Sequence, residues 1–592
     1  MVGLLRTSSV ALVVWRNYET QWQIEVIRRL FIPEQSADAA GNRRVAWALA
    51  VILLLALILR ARALSFGLPA VNDSDELIFE LGAVKMLRGG TLNPGWFGHP
   101  ATTTLYLLVL ADLAAFAFGW ATGAFSTVAG FGNAIYHDPS WMILPGRMAM
   151  LAFGVWCVFL TFRLGGQLFD RRVGLAAAAL LAVSPIHVSY SQVVRSDIMA
   201  TAFLLLMLLA TLRFARTGGR RALLLAALWF GFATTTKWPF AACAVSFAAV
   251  VLHQVWARQV TPAAGLRILF AFTVAGIGAV VLISPYLALD HQAALKSVMG
   301  EAQIRHVGAT GRGVVWNAGW YLREPLLHAL GWVGLVLATV GMGIAARKRE
   351  AALLMFPLIG VLVAVTLTQN LIWARWILPL LPLLSIMAGA AFVAQIDRMA
   401  SLRPVARIGI AAALALATVL PLLASVRTDA AERMNDTRQA ATRWADTHVP
   451  AGSRIIIEHF GFDLLSRPWE YYFPLANAGC LDARKTLQGK VQYSSIEAMR
   501  GGHHNVDYGT LTPSMRPTCN ANYAILSQYD RYMAEAPMFP AEVASYRELM
   551  SRSTLLATIQ PQPGVRGGPT IRIVRIDRPP VTGQSPAPAG PP

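Results

Sequence analysis

A mainly α, polytopic membrane protein that ends in a small α/β domain is the fold class this sequence predicts, on three observations. Apolar residues make up 55% of the 592 and charged residues only 14%, whereas a soluble domain carries about a quarter charged. The apolar residues gather in runs such as VAWALAVILLLALILRARAL (45–64) and GIAAALALATVLPLLASV (409–426), long enough to cross a hydrocarbon layer. From Arg427 onward such runs stop, and short apolar strands alternate with charged helical pieces. Varied polar sequence between the runs excludes a fibrous or low-complexity chain.

Residues 1–44 read as a cytoplasmic arm with an amphipathic piece at 20–32. Its one apolar patch, SSVALVVW, is too short and too poorly flanked for a cleavable signal peptide. Residues 45–426 form the transmembrane domain. We expect about eleven crossings, at 46–66, 144–164, 172–190, 197–215, 221–236, 239–257, 266–288, 326–346, 351–370, 374–395 and 408–426. Basic clusters at Arg28–Arg29, Arg43–Arg44, Arg171–Arg172, Arg213–Arg221, Arg347–Arg349 and Arg398–Arg407 recur after every second crossing. That is the positive-inside pattern. It accounts for most of the net charge of +19 without nucleic acid, and makes the bilayer itself the first partner. The expected location is a plasma (inner) membrane, with the N-terminus cytoplasmic and the C-terminal domain outside.

Two outer segments are long, 67–143 and 289–325. The first contains an apolar run at 101–120, ATTTLYLLVLADLAAFAFGW, expected to lie on the surface or to re-enter, because a further crossing would invert the basic pattern. The second is rich in Gly, His and Arg and reads as a mobile cover. GFATTTKWP around Lys237 reads as a tight outer hairpin, since a lysine inside the hydrocarbon is expensive. Residues 427–578 form the outer α/β domain, with strands expected in RIIIEHFG, CNANYAILSQY and GPTIRIVRI, and 579–592 a disordered tail. Of the four cysteines, Cys157 and Cys243 lie in spans as apolar filler; Cys480 and Cys519 fall where oxidation is permitted, either disulfide-bonded or as two free thiols.

Unusual polar residues gather on the expected outer face: Asp73, Asp75, Glu76 and Glu80 in NDSDELIFE, then His99, His187, Arg195, Asp197, Lys237, Asp290, His306 and Arg375. Ionisable groups at the ends of apolar spans face water, a partner or a ligand, so many on one side predict a polar cavity. Lys237, Arg195 and Arg375 suit a phosphate; the acids suit a metal ion or a general base. The bland readings stand beside these. RSD at 195–197 is also the spacing of a simple Arg195–Asp197 pair, Arg375 also fits a snorkelling arginine, and four carboxylates outside a membrane are also ordinary solvated surface. Helical spacing aligns Asp73, Glu76 and Glu80 and turns Asp75 away.

SDELIFELGAVKMLRGG, HPATTTLYLL, RLGGQLFDRRVGLAAAALLAVSPIHVSYSQVVRSDIMATAFLLL, GFATTTKWP, ISPYLALD and ARWILPLLPLL, in this order over about 50–430, resemble bacterial membrane glycosyltransferases of the GT-C type. Within that type they look similar to the dolichyl-phosphate-mannose protein mannosyltransferase and aminoarabinose transferase group (glycosyltransferase family 39 type). The resemblance implies a GT-C transmembrane catalytic domain and an inverting transfer of a sugar from a polyprenyl-phosphate donor to an envelope lipid, polysaccharide or protein acceptor. It maps the acidic signature onto Asp75 and Glu76, with Asp75 as general base or acceptor-orienting residue and His99 approaching the same cavity. It gives the donor phosphate to Lys237 and Arg375, helped by Arg195, and leaves Asp73, Glu80, His187, Asp197, Asp290 and His306 as cavity or acceptor residues. Some relatives use a divalent cation, Mg²⁺ or Mn²⁺, which Asp75 and Glu76 would hold. The sequence departs from the pattern in HPAT, which lacks the second proline, and in ARW, where Arg-Tyr is common. Those departures bear on the acceptor. A transporter or lipid flippase is the alternative from ionisable helix ends, set against a one-sided cluster and no evident inverted repeat.

Overall fold

The structure is a computed structural model and describes residues 39–98, 102–300, 304–459, 461–488, 495, 499 and 505–578. His99, most of the N-terminal arm and the 579–592 tail lie outside the described residues. The chain divides into two compact units, Met1–Val51 and Ile52–Pro592. The first contributes the opening part of helix Ala39–Ala61; the other elements belong to the second.

Ten helices among the described residues are long and apolar enough to cross a membrane, so the chain is a multi-pass membrane protein. Individual spans differ from expectation for local reasons. The 101–120 run, expected to lie on the surface or to re-enter, is one unbroken helix, Thr102–Ala121, with the length of a crossing. The 172–190 span is not one helix. Arg171–Ala182 stops before Ser184, and Pro185 starts a separate short helix, Pro185–Tyr190, because proline removes a donor and drives its predecessor out of helical geometry. Arg220–Thr236 is 17 residues and ends at Lys237, which is extended before the turn Trp238–Cys243. The turn expected around Lys237 is therefore present. The 289–325 segment is partly helix, since Val314–Tyr321 runs through a π turn at Leu322–Leu326 into Leu327–Ala346.

Glycines set how closely these helices approach. A Cβ on Gly341 would collide with the Met387 backbone, so Leu327–Ala346 lies directly on Leu380–Arg398, the close contact that small residues permit between membrane helices. At one end of the bundle the basic loops are tied together, Arg172 to Asp397 at 2.7 Å and Arg216 to Glu350 at 2.6 Å.

The C-terminal part contains a six-stranded mixed sheet in the order β3-β2-β1-β4-β6-β5, where β1 is Arg454–Ile457, β2 Glu470–Pro474, β3 Cys480–Asp482, β4 Tyr523–Leu526, β5 Ser553–Ile559 and β6 Ile571–Ile576. β1 pairs parallel with β2 and β4; the remaining pairings are antiparallel. β1, β4 and β6 are the three strands legible from their apolar runs. Cys480 and Cys519 are joined in a disulfide, while Cys157 and Cys243 are free and buried.

Candidate active site

Helix Ser74–Gly89 starts where it does because Asp73 caps it. Asp73 is extended and its carboxylate accepts the Asp75 N–H at 3.1 Å. Residues beyond the cap are sorted by a rotation of about 100° per residue, so neighbours diverge. Asp73 and Asp75 meet one guanidinium, that of Arg195: Nη2 donates to both Asp73 oxygens at 2.9 and 3.0 Å, and Nη1 donates to Asp75. Glu76 points elsewhere, into a fully buried bidentate pair with Arg147 at 2.8 and 2.6 Å, and also accepts the Val194 N–H at 2.9 Å. Arg147 also donates to the Leu64 and Phe66 carbonyls. Glu80, one turn on, fills the space a Gly146 Cβ would need and finds no hydrogen-bond partner among the described residues. Burial, then Asp112 and Glu76, raise its carboxyl well above the usual range. Of the helical face expected from spacing, Glu76 and Glu80 do share the buried side, but Asp73 belongs with Asp75.

The Asp75–Glu76 pair therefore does not converge on one point. A divalent cation held by both does not fit this arrangement, because Arg147 and the Val194 N–H already engage both Glu76 oxygens. Among the described residues no three His, Cys, Asp or Glu side chains form a metal cluster.

Asp75 is bordered by cations. Burial pushes its carboxyl up, but Arg195 and then Arg375 outweigh this and hold it below the usual carboxylate range. The simple Arg195–Asp197 pair is not the arrangement found. Asp197 instead accepts from the Lys237 ammonium at 2.6 Å, while Arg195 serves the two acids of the first loop. Arg375 stands on the turn Ala374–Ile377, with its guanidinium 4.3 Å from the centre of the Trp373 ring. It is 8% exposed, its Nε has no acceptor, and it forms no ion pair with a described residue. Arg195, Asp75, Asp197 and Tyr190 are close enough to act on it electrostatically.

His306 joins this group. Its Nδ1 lies 3.0 Å from the Val307 carbonyl; a carbonyl only accepts, so Nδ1 carries the proton and Nε2 is the basic nitrogen. The ring meets Trp373 edge-on at 5.1 Å. Burial holds its pKa below the usual value, although the Val307 carbonyl and Asp75 oppose the shift. Tyr321 steadies the same turn: its hydroxyl accepts the Trp373 N–H at 3.1 Å.

Two expected cavity residues have partners outside the Asp75 group. His187 takes a 2.7 Å contact from buried Arg60, and Asp290 accepts from Asn93 at 2.9 Å. Near the undescribed His99, the Phe97 carbonyl accepts from the Trp238 indole at 2.7 Å, which ties that loop beside Lys237. A groove of about 660 Å³ lined by Arg312, Trp316, Trp320 and Arg323 contains none of these residues. Sequence reasoning missed Arg147, Tyr190, Tyr321 and Trp373. Only Arg147 had a usable signal, a charge inside a long apolar helix.

Comparison with known proteins bears on the same region. A family model described as dolichyl-phosphate-mannose-protein mannosyltransferase matches residues 102–288. No curated protein matches. Among solved structures, the chain is similar to the Archaeoglobus fulgidus oligosaccharyltransferase tethered with an acceptor peptide, at 12% identity, 88% coverage of this chain and 73% of that one, with a TM-score of 0.47. It is also similar to ArnT from Cupriavidus metallidurans in the apo state, at 14% identity, 91% and 99% coverage and a TM-score of 0.47. For ArnT bound to undecaprenyl phosphate the figures are 14%, 90%, 98% and 0.45.

Proposed function

We propose that this chain is an inverting membrane glycosyltransferase of the GT-C type. It takes a sugar from a polyprenyl-phosphate donor and passes it to an envelope lipid, polysaccharide or protein. The reaction belongs to the outer side of the inner membrane, with the N-terminus cytoplasmic. One observation carries this reading: Arg375 is a buried guanidinium without a described counter-ion, standing near the Lys237–Asp197 pair and the Arg195–Asp75 pair. A buried cation lacking a partner is costly, and an anionic ligand removes that cost. The mannosyltransferase match supports the class, since residues 102–288 include Arg195, Asp197 and Lys237.

The chemistry follows from these placements. As the sugar C1–O bond breaks, the ring gains oxocarbenium character and the departing phosphate gains charge, which Arg375 and Lys237 stabilise. Asp75, kept ionised by Arg195, removes the acceptor proton as attack develops, with the His306 Nε2 as the neighbouring base. Direct attack inverts the anomeric carbon. Arg147 holds Glu76 and through it the helix that carries Asp75, so Glu76 is a positioning residue in this scheme.

The test is transfer by the purified full chain from a polyprenyl-phosphate sugar to a panel of envelope acceptors. Asp75→Asn is expected to lower kcat by about 10² or more. Arg375→Ala is expected to weaken binding of the polyprenyl phosphate at least about tenfold. Binding left intact by Arg375→Ala would remove the support for the phosphate site.

A further inference from the structure

The C-terminal α/β domain directly reaches two of the segments that carry the site, those of Asp75 and His306, and a third, that of Arg375, through the second. The first is the loop before Asp75. The Asn72 and Gln439 side-chain amides pair in both directions, Asn72 Nδ2 donating at 2.9 Å and Gln439 Nε2 at 2.7 Å. Arg438 donates to the Asn72 carbonyl at 2.5 Å and is itself aimed by Asp436, at 2.8 and 2.7 Å. Asp436 caps helix Thr437–His448, and the Thr437 N–H donates to the Gly567 carbonyl at 2.9 Å, so the grip is rooted in the domain. Asn72 directly precedes Asp73, the residue that both caps the Asp75 helix and holds Arg195.

The second segment is that of His306. Val307 is buried inside the domain's own apolar cluster, with Ile456, Tyr532 and Phe539. On one side of it Arg305 donates to Glu542 at 3.3 Å and to the Met538 carbonyl; on the other the Gly308 N–H donates to Glu535 at 3.1 Å. The third segment is reached through the second. The Ile372 N–H donates to the Ala309 carbonyl at 2.9 Å and the Gly311 N–H to the Asn370 carbonyl at 2.6 Å. That tie leads directly to Trp373 and Arg375.

We infer that the C-terminal domain sets the spacing between the acid and cation halves of the site, and that Gln439 and Arg438 are positioning residues for Asp73 and Asp75. From the C-terminal part Arg531 acts electrostatically on His306, and Arg433 lies near Glu76 and Asp73, and loops from distant parts of the chain converge on the domain. Removing the Asn72–Gln439 amide pair frees the turn before the cap without touching a group that meets substrate. The catalytic part of this inference rests on the transfer reaction proposed above.

The experiment uses the full chain with Asn72→Ala, Gln439→Ala, both together, and the exchanged pair Asn72→Gln with Gln439→Asn. The exchange keeps one short and one long amide and so restores the pair. Each alanine variant is expected to lower kcat about 5- to 20-fold while the donor KM stays within about twofold. The double variant should be no worse than either single one, and the exchanged pair should recover most of the loss. Independent, additive losses, or an unchanged kcat, would overturn the assignment. A reaction-free arm measures amide hydrogen exchange over residues 73–79. Gln439→Ala should speed it about fivefold or more while Leu380–Arg398 stays protected. Faster exchange in a protein that transfers no sugar would refute the reaction and keep the positioning role. Unchanged exchange would refute the positioning role even in an active enzyme.

Discussion

Asp75 and Arg195 show how one half-buried pair sets a protonation state. Burial alone would favour the neutral acid, and the guanidinium reverses that. Because the folded pKa is depressed, the stability this pair supplies is present above the ordinary carboxylate pKa of about 4 and is lost as pH falls through the folded value. Arg195→Gln removes the main partner and leaves the burial. The acid limb of the kcat/KM profile should then move up by about one pH unit or more; a limb that stays in place would deny Arg195 this role. Residue types and their clustering were legible here, and Asp75 stood out by resemblance. That Glu76 faces away from Asp75 was not, because its partner Arg147 lies 71 positions on.

At the scale of elements, the Glu76–Arg147 pair pins helix Ser74–Gly89 to Ser140–Leu168. Deleting one member of a buried pair strands the other charge and costs about 3–5 kcal/mol, whereas replacing both with uncharged groups can be nearly neutral. Arg147→Met should therefore lower the thermal midpoint of the detergent-solubilised protein by several degrees. Adding Glu76→Gln should recover much of the loss; equal losses in the two variants would show that the ion pair is not what matters. The helices themselves were legible from their apolar runs. Their ends were less so: the break at Ser184 and Pro185, and the kink at Gly331 within Val314–Ala346, turn on proline and glycine placement and on packing. A run of apolar residues gives length without saying which neighbour it meets. Thr102–Ala121 illustrates this, packed against Ser140–Leu168 and Ser74–Gly89 where surface or re-entrant placement was expected.

At the scale of the whole molecule, the C-terminal domain buries an acid, Asp507, and holds it protonated well above the usual carboxylate range. Asp507 is pushed up to about 8, first by burial and then by Glu458. An acid raised on folding stays protonated in the native state while the unfolded chain ionises, so stability falls as pH rises from about 4 to about 8. The thermal midpoint of the full chain should drop across that window, and Asp507→Asn should flatten the drop. A midpoint that rises with pH in both proteins would contradict the burial of Asp507. The sheet was half legible: β1 and β4 are short apolar runs and β6 sets Ile and Val against two arginines, whereas β2, β3 and β5 are short or half-exposed and gain their identity from pairing.

What the sequence by itself determined is whatever depends on local composition. Twenty-residue apolar runs make a membrane protein wherever they fold, basic loops mark one side, and the loss of those runs after Arg427 marks the change to an α/β domain. Only the tertiary structure decided which charge answers which. Asp75 meets Arg195 across 120 positions, Lys237 meets Asp197 across 40, and Asn72 meets Gln439 across 367. In a low-dielectric interior each pairing is strong only at contact distance and in the right orientation. Those distances are set by helix packing and by the grip of the C-terminal domain, which no local stretch of sequence encodes.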